Sequence, residues 1–476
     1  MTVTLDVPIS WRNAAGDDAA MLDELQPNIL KAHTREFLSM LFLRFDDAGE
    51  AKSLLRALAG GARTPLMKSA KTHLLEIRAF KASGSKGTPY VGFGLSALGY
   101  AALGIPETSR PADGPFRGGM KAALLDDPAA SAWESFYQGD LHAVILIGDQ
   151  LRGPRNRALA RVLRLLDARP SITVVRDEVG HGLHNRNGEG IEHFGYVDGR
   201  SQPLFLVEDI EDETLRNDGA TNWDPGFGPG RAIVPDPAAP DPSVHFGSYF
   251  VYRKLEQNVQ KFKKEEKALA GRLGLKGADA ERAGAMLVGR FEDGTPLTTQ
   301  FGEGAHNPVP NDFSYDSDRD GGKCPFFAHI RKVNPRGTGG FEPVDQERKH
   351  LMARRGQTYG VRTDDPNDGQ VANKPTRDVG LLFMAFNVDI GAQFEFAQSS
   401  WANATGFPAV PDGRAPPGLD PVIGQGARPN IDCAPVWGAD FDVPAQHKST
   451  RATMQAVTMK GGEYFFMPSL AFMRSL

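Results

Sequence analysis

The chain has 476 residues, a net charge of −5 and two cysteines, Cys324 and Cys433. That length exceeds what one hydrophobic core usually fills, so two domains are expected, and the acidic balance offers no basic excess for nucleic acid. Two cysteines exclude a disulfide framework or a four-cysteine metal site and fit a reducing compartment; with no basic-then-apolar leader and no run of about 18 apolar residues, a cytoplasmic protein without a membrane segment is expected.

Short apolar runs at residues 37–45, 73–80, 142–147 and 171–175 read as strands in the first half. Residues 248–252, 381–388 and 464–467 do so in the second. Residues 156–169 place Leu159, Val162, Leu163 and Leu166 on one helical face. Residues 255–273 do the same with Val259, Phe262, Leu269 and Leu273, leaving Lys261, Lys263, Lys264, Glu265 and Glu266 mostly outward. The proline-rich stretch 222–243 follows an acidic run and reads as a linker. Residues 405–430 read as a long functional loop.

Several segments can carry chemistry. Gly195-Tyr196-Val197-Asp198-Gly199 brackets one carboxylate with two glycines, which tolerate backbone angles that other residues avoid. His329 stands beside apolar residues and is followed by a basic cluster that includes Arg331. An imidazole in that setting suits haem iron, with the cations answering the propionates. Arg354 and Arg355 precede Tyr359-Gly360, residues 380–386 are apolar, and residues 418–425 contain Asp420. Taken singly, each has a plain reading: a turn, a hydrogen-bonded histidine, solvated arginines, a buried strand.

These segments, with Leu25-Gln26-Pro27-Asn28-Ile29-Leu30-Lys31 near the start, fall in the order and spacing of one family. The chain resembles the dye-decolorizing peroxidases over nearly its whole length. The resemblance implies an α+β fold of two ferredoxin-like domains with antiparallel sheets and peripheral helices: residues 1–221, a linker at 222–243, and residues 244–476. It implies one haem b per chain, between sheet and helices of the second domain, with His329 as the axial iron ligand and Asp420 behind it. Asp198 would be the distal acid–base group and Arg354 would lie over the same iron face, with Leu381 and Phe383 as an apolar wall. The implied partners are hydrogen peroxide and a small organic electron donor such as a dye or phenol, in a monomer or homo-oligomer.

Other readings compete. A haem-handling protein without peroxidase activity would share His329 but need neither Asp198 nor Arg354. Residues 316–321 begin like a calcium loop, yet Phe327 stands where the bidentate Glu belongs. His181, His184 and His193 could form a transition-metal site, although their Gly- and Asn-rich surroundings favour a surface loop. The glycines at 226–230 follow no strand and are interrupted by proline, unlike a nucleotide fingerprint.

Overall fold

The computed structural model describes residues 2–60, 66–217, 219–304, 309–366, 368–411, 414–426 and 455–476, and the backbone of 432–433, 436–437, 446–447 and 450–451. In the first half, β1 (Phe37–Phe45), β2 (Tyr90–Leu95), β3 (Ala143–Asp149) and β4 (Ile172–His181) lie in the order β2-β3-β1-β4, all antiparallel. Helices α1 (Ala48–Ala59) and α2 (Ala70–Ser83) connect β1 to β2, and α3 (Arg152–Asp167) connects β3 to β4. That is the ferredoxin-like βαββαβ arrangement.

The second half repeats it. Strand β5 (Phe246–Gln257) pairs on one side with β9 (Val457–Met467) and on the other with β8 (Gly380–Asn387). The far edge of β8 carries two short pieces, β6 (Ala353–Arg354) and β7 (Gln357–Tyr359). Helices α4 (Val259–Leu273), α5 (Glu281–Val288) and the single-turn α6 (His329–Val333) lie between β5 and β6. A π-helical stretch, Gly391–Glu395 and Ala397–Ala402, follows β8.

The two sheets meet at both edges through one bridge each, Leu95 with Phe466 and Gly180 with Tyr359, so the strands close into a ring. The ring interior covers one face of β3 and β5, and α3 packed on β3 and the elements around the cavity on β5 cover the other, so both strands are buried along nearly their whole length instead of alternating. Phe42 and Tyr252 meet inside the ring, their centroids 4.9 Å apart, each worth about 2–3 kcal/mol as a buried side chain.

Residues 73–80 form the middle of α2, not a strand. Ala70, His73 and Leu74 turn inward at helical spacing, Ser69 accepts the Thr72 N–H at 3.2 Å, and Gly84 ends the helix at φ 70°. Caps and period outweigh apolar content, which leaves Leu75 and Phe80 on the surface. Helix α4 starts at Val259, because residues 255–257 finish β5 and the Asn258 side chain accepts the Lys261 N–H. Lys263 is not outward: it sits 2.6 Å from Glu292 and 3.0 Å from Glu266. The 222–243 stretch is packed, with Ala232, Ile233 and Asp236 buried and Val234–Pro235 paired to the start of β5. Among the described residues, no helix is long and apolar enough to cross a membrane.

Candidate active site

Alternate residues of β5 (Arg253, Leu255, Gln257) and β8 (Leu381, Phe383) line a cavity of about 540 Å3. Residues one apart on a strand face opposite ways, so one side of each strand serves the cavity and the other the ring interior. Phe394 lies 5.9 Å from Phe383, and Val288, Ile330, Val422 and Ile423 extend the apolar surface.

His329 opens α6 and lines this cavity. Its Nδ1 lies 2.8 Å from Asp420 Oδ2. Asp420 is fully buried, and its Oδ1 accepts the Val422 and Ile423 N–H groups at 2.7 and 2.9 Å. Burial pushes this carboxyl up, but His329 and the two amides outweigh it and hold the group below the usual carboxylate range. An ionised carboxylate only accepts, so Nδ1 carries the proton and the lone pair stands on Nε2, the form that binds a metal. The loop behind is fixed from α6 itself: Lys332 is buried and donates to the carbonyls of Ala404 and Gly418, both at 2.9 Å, and of Phe407.

Asp198 and Arg354 face the same cavity. Gly195 and Gly199 adopt φ of 106° and 80°, which is why glycine brackets the carboxylate. Among the described residues, none beyond its two chain neighbours lies within 4 Å of the point where a Gly199 side chain would start. Asp198 Oδ1 accepts the Gly199 N–H at 2.7 Å. Arg354 is tethered to the same loop: its N–H reaches Gln202 Oε1 at 3.0 Å and its Nη2 reaches the Arg200 carbonyl at 2.9 Å. Arg355 instead commits its guanidinium to the carbonyls of Asn28 and Ile29, both at 2.7 Å, and so pins the segment at residues 25–31.

Arg331 does not line the cavity. It is wholly buried on the other side of α6, 2.8 Å from Asp318 and bonded to the Cys324 carbonyl. Positions two apart on a helical turn point away from each other, so a histidine aimed at the cavity sends Arg331 elsewhere. Among the arginines that do line it, Arg290 and Arg336 form a pair. They share Asn311 Oδ1 (2.8 and 3.0 Å) and Ser201 Oγ (3.0 and 2.8 Å) and stack on Phe313. Burial lowers Arg290 to about 10 and Arg336 to about 9. Among the described residues neither is hydrogen-bonded to a carboxylate, and Asp312 acts on Arg336 only through its charge, so the buried positive charge has room for an anionic partner. A flat group with an iron for His329, apolar faces and two carboxylates for these arginines fits that donor set: haem.

Among the described residues, no group of three or more His, Cys, Asp or Glu is gathered as a metal site. His193 Nε2 lies 2.8 Å from the Tyr359 carbonyl, His184 faces Glu36 and His181 packs on Phe37. Asp318 is occupied by Arg331 and the amides of Lys323 and Cys324. Sequence reading missed Arg253, Gln257, Arg290 and Glu192. Only Arg253 left a signal, as a cation interrupting an apolar strand.

A histidine backed by a buried carboxylate, in a cavity that also presents a carboxylate and a guanidinium, places the protein among haem enzymes that act on peroxide. No family model matches the chain. It is 60% identical over 100% of both chains to the multifunctional dye peroxidase DyP2 of Amycolatopsis, whose solved structure superposes with a TM-score of 0.94. The DyP-type peroxidase of Anabaena superposes at 0.87, with 35% identity over 98% of this chain and 97% of that one. A dye-decolorizing peroxidase solved with 2,6-dimethoxyphenol superposes at 0.72, with 26% identity over 95% and 98%. The chain belongs to the dye-decolorizing peroxidase family and is a haem-binding peroxidase.

Proposed function

We infer that the protein uses hydrogen peroxide to oxidise dyes and phenolic donors, with one haem b per chain in the cavity. When bound, haem supplies the redox-active iron. His329 Nε2 holds that iron, and Asp420 keeps the imidazole in the ligating tautomer and makes it more basic. Arg290 and Arg336 answer the propionates, while Leu381 and Phe383 keep the pocket apolar. Asp198 takes a proton from peroxide at one oxygen and returns it at the other. Arg354, permanently charged, stabilises negative charge that develops as the O–O bond breaks. The reading divides the chain into residues 1–221, which carry Asp198, a linker at 222–243, and residues 244–476, which hold the haem. The free, buried thiol of Cys324 supports a reducing, cytoplasmic setting, and the protein works as a monomer or homo-oligomer. The phenol-bound relative supports phenols as donors.

The observation that carries the proposal is the 2.8 Å contact of His329 with Asp420 in a cavity shared with Asp198 and Arg354. Stopped-flow mixing with peroxide tests it. Asp198→Asn and Arg354→Leu should each keep the Soret band but slow its peroxide-dependent change by about 100-fold or more. Wild-type rates in both would refute the proposal.

A further inference from the structure

The loop that carries Asp198 is folded around a second carboxylate. Glu192 Oε2 accepts the Phe194 N–H at 2.8 Å, and its Oε1 accepts the Tyr196 N–H at 3.0 Å. The main chain closes the same turn: Glu192 N–H reaches the Tyr196 carbonyl at 3.1 Å and Gly195 N–H the Glu192 carbonyl at 2.9 Å. Beyond the turn the two arms pair, Ile191 against Val197, with Asp198 N–H on the Gly190 carbonyl at 3.0 Å. Asp198 is therefore the first residue past the bridge of a short ribbon whose tip is built on Glu192.

The tip is anchored to the second half of the chain. Gln257, the last residue of β5, donates its side-chain amide to Glu192 Oε2. Phe194 stacks on Phe262 at 4.0 Å, and Tyr196 OH donates to Glu266 at 2.6 Å. The aromatic contacts hold the tip against α4. Glu192 gathers the amides of Phe194 and Tyr196, and it lines the same cavity as Asp198.

We propose that Glu192 is a positioning residue for Asp198: its carboxylate shapes the turn, and the paired arms transmit that shape to the place where the Asp198 carboxyl stands. This rests on the assignment of Asp198 as the acid–base group. Burial, together with the charge of Asp198, pushes Glu192 up to about 7 against the pull of its amide donors, in keeping with two carboxyls close enough to act on each other.

The test is Glu192→Gln, which keeps the volume but has a single acceptor oxygen for two amides. Peroxide-driven and donor-driven steps are followed separately by stopped flow on the haem-loaded protein, with Asp198→Asn in parallel. The peroxide step should slow about tenfold to 100-fold, the scale of a misplaced reacting group, while haem content and the donor step stay as in wild type. A wild-type peroxide rate in E192Q beside a slow D198N overturns this inference alone; wild-type rates in both overturn the Asp198 assignment beneath it. A parallel fall in both steps and in haem content marks a merely structural role and also overturns it. If E192Q does not accumulate, Gln257→Leu decides: it should slow the peroxide step severalfold, and a wild-type rate overturns the proposal.

Discussion

Replacing Asp420 by asparagine should weaken haem binding while leaving the fold in place. Oδ1 accepts two backbone amides, from Val422 and Ile423. In D420N the amide oxygen stays on those N–H groups, and the NH2 then points at the Nδ1–H of His329, donor against donor. One outcome is loss of a charge-assisted bond, about 1.5–3 kcal/mol. The other is a tautomer switch, which moves the proton to Nε2 and removes the lone pair that binds iron. Either way haem affinity should fall about 10- to 100-fold, the usual scale for losing the partner of a ligating histidine. Titration of apo-protein with haem, read at the Soret band, measures the loss, and a thermal melt controls for folding. The sign with pH follows from Asp420 being held below its ordinary range: its support is present at neutral pH and is lost as pH falls through its lowered folded value. Acid should therefore loosen haem in wild type and add little in the variant. Wild-type affinity with an unaltered iron–histidine vibration in D420N would refute the reasoning.

Arg331→Met should strand the buried Asp318 carboxylate, costing about 3–5 kcal/mol, yet leave peroxide kinetics per bound haem unchanged. Weakened haem binding at full thermal stability would restore a propionate role to Arg331. His33 and His73 stack at 4.8 Å, and burial lowers them to about 2 and 3. Below about 6.5 the unfolded chain takes up protons that these rings refuse, so stability is lost as pH falls through that value. In His73→Phe the drop in Tm from pH 8 to pH 5 should be smaller than in wild type; an equal drop counts against the argument. Turnover should not fall in step with a histidine titration, because the acid–base group assigned here is a carboxyl and not an imidazole. A turnover profile that collapses in step with a histidine titration contradicts Asp198 as the base.

What could be read from sequence was what depends on local chemistry. Gly195 and Gly199 announced positive φ, and the apolar runs at 37–45, 142–147 and 381–388 fall on β1, β3 and β8 because each needs only a β-forming composition. What failed depends on direction. Arg331 lies two residues from His329, but that spacing on one helical turn sends it away from the cavity. Residues 73–80 were rich in apolar side chains, but their period and flanking caps made a helix. Glu192 was invisible for another reason. Its partners are backbone amides and Gln257, 65 positions away, which no side-chain motif encodes.

The ring of strands also orders events in time. One of its two seams is made by β9, through Phe466 against Leu95, and β9 follows every other strand of the ring in the sequence. Until it docks, the remaining strands form an open sheet with β2 and β5 at its edges. β9 is thus the clasp of the ring, covering the otherwise open edges of β2 and β5 at once.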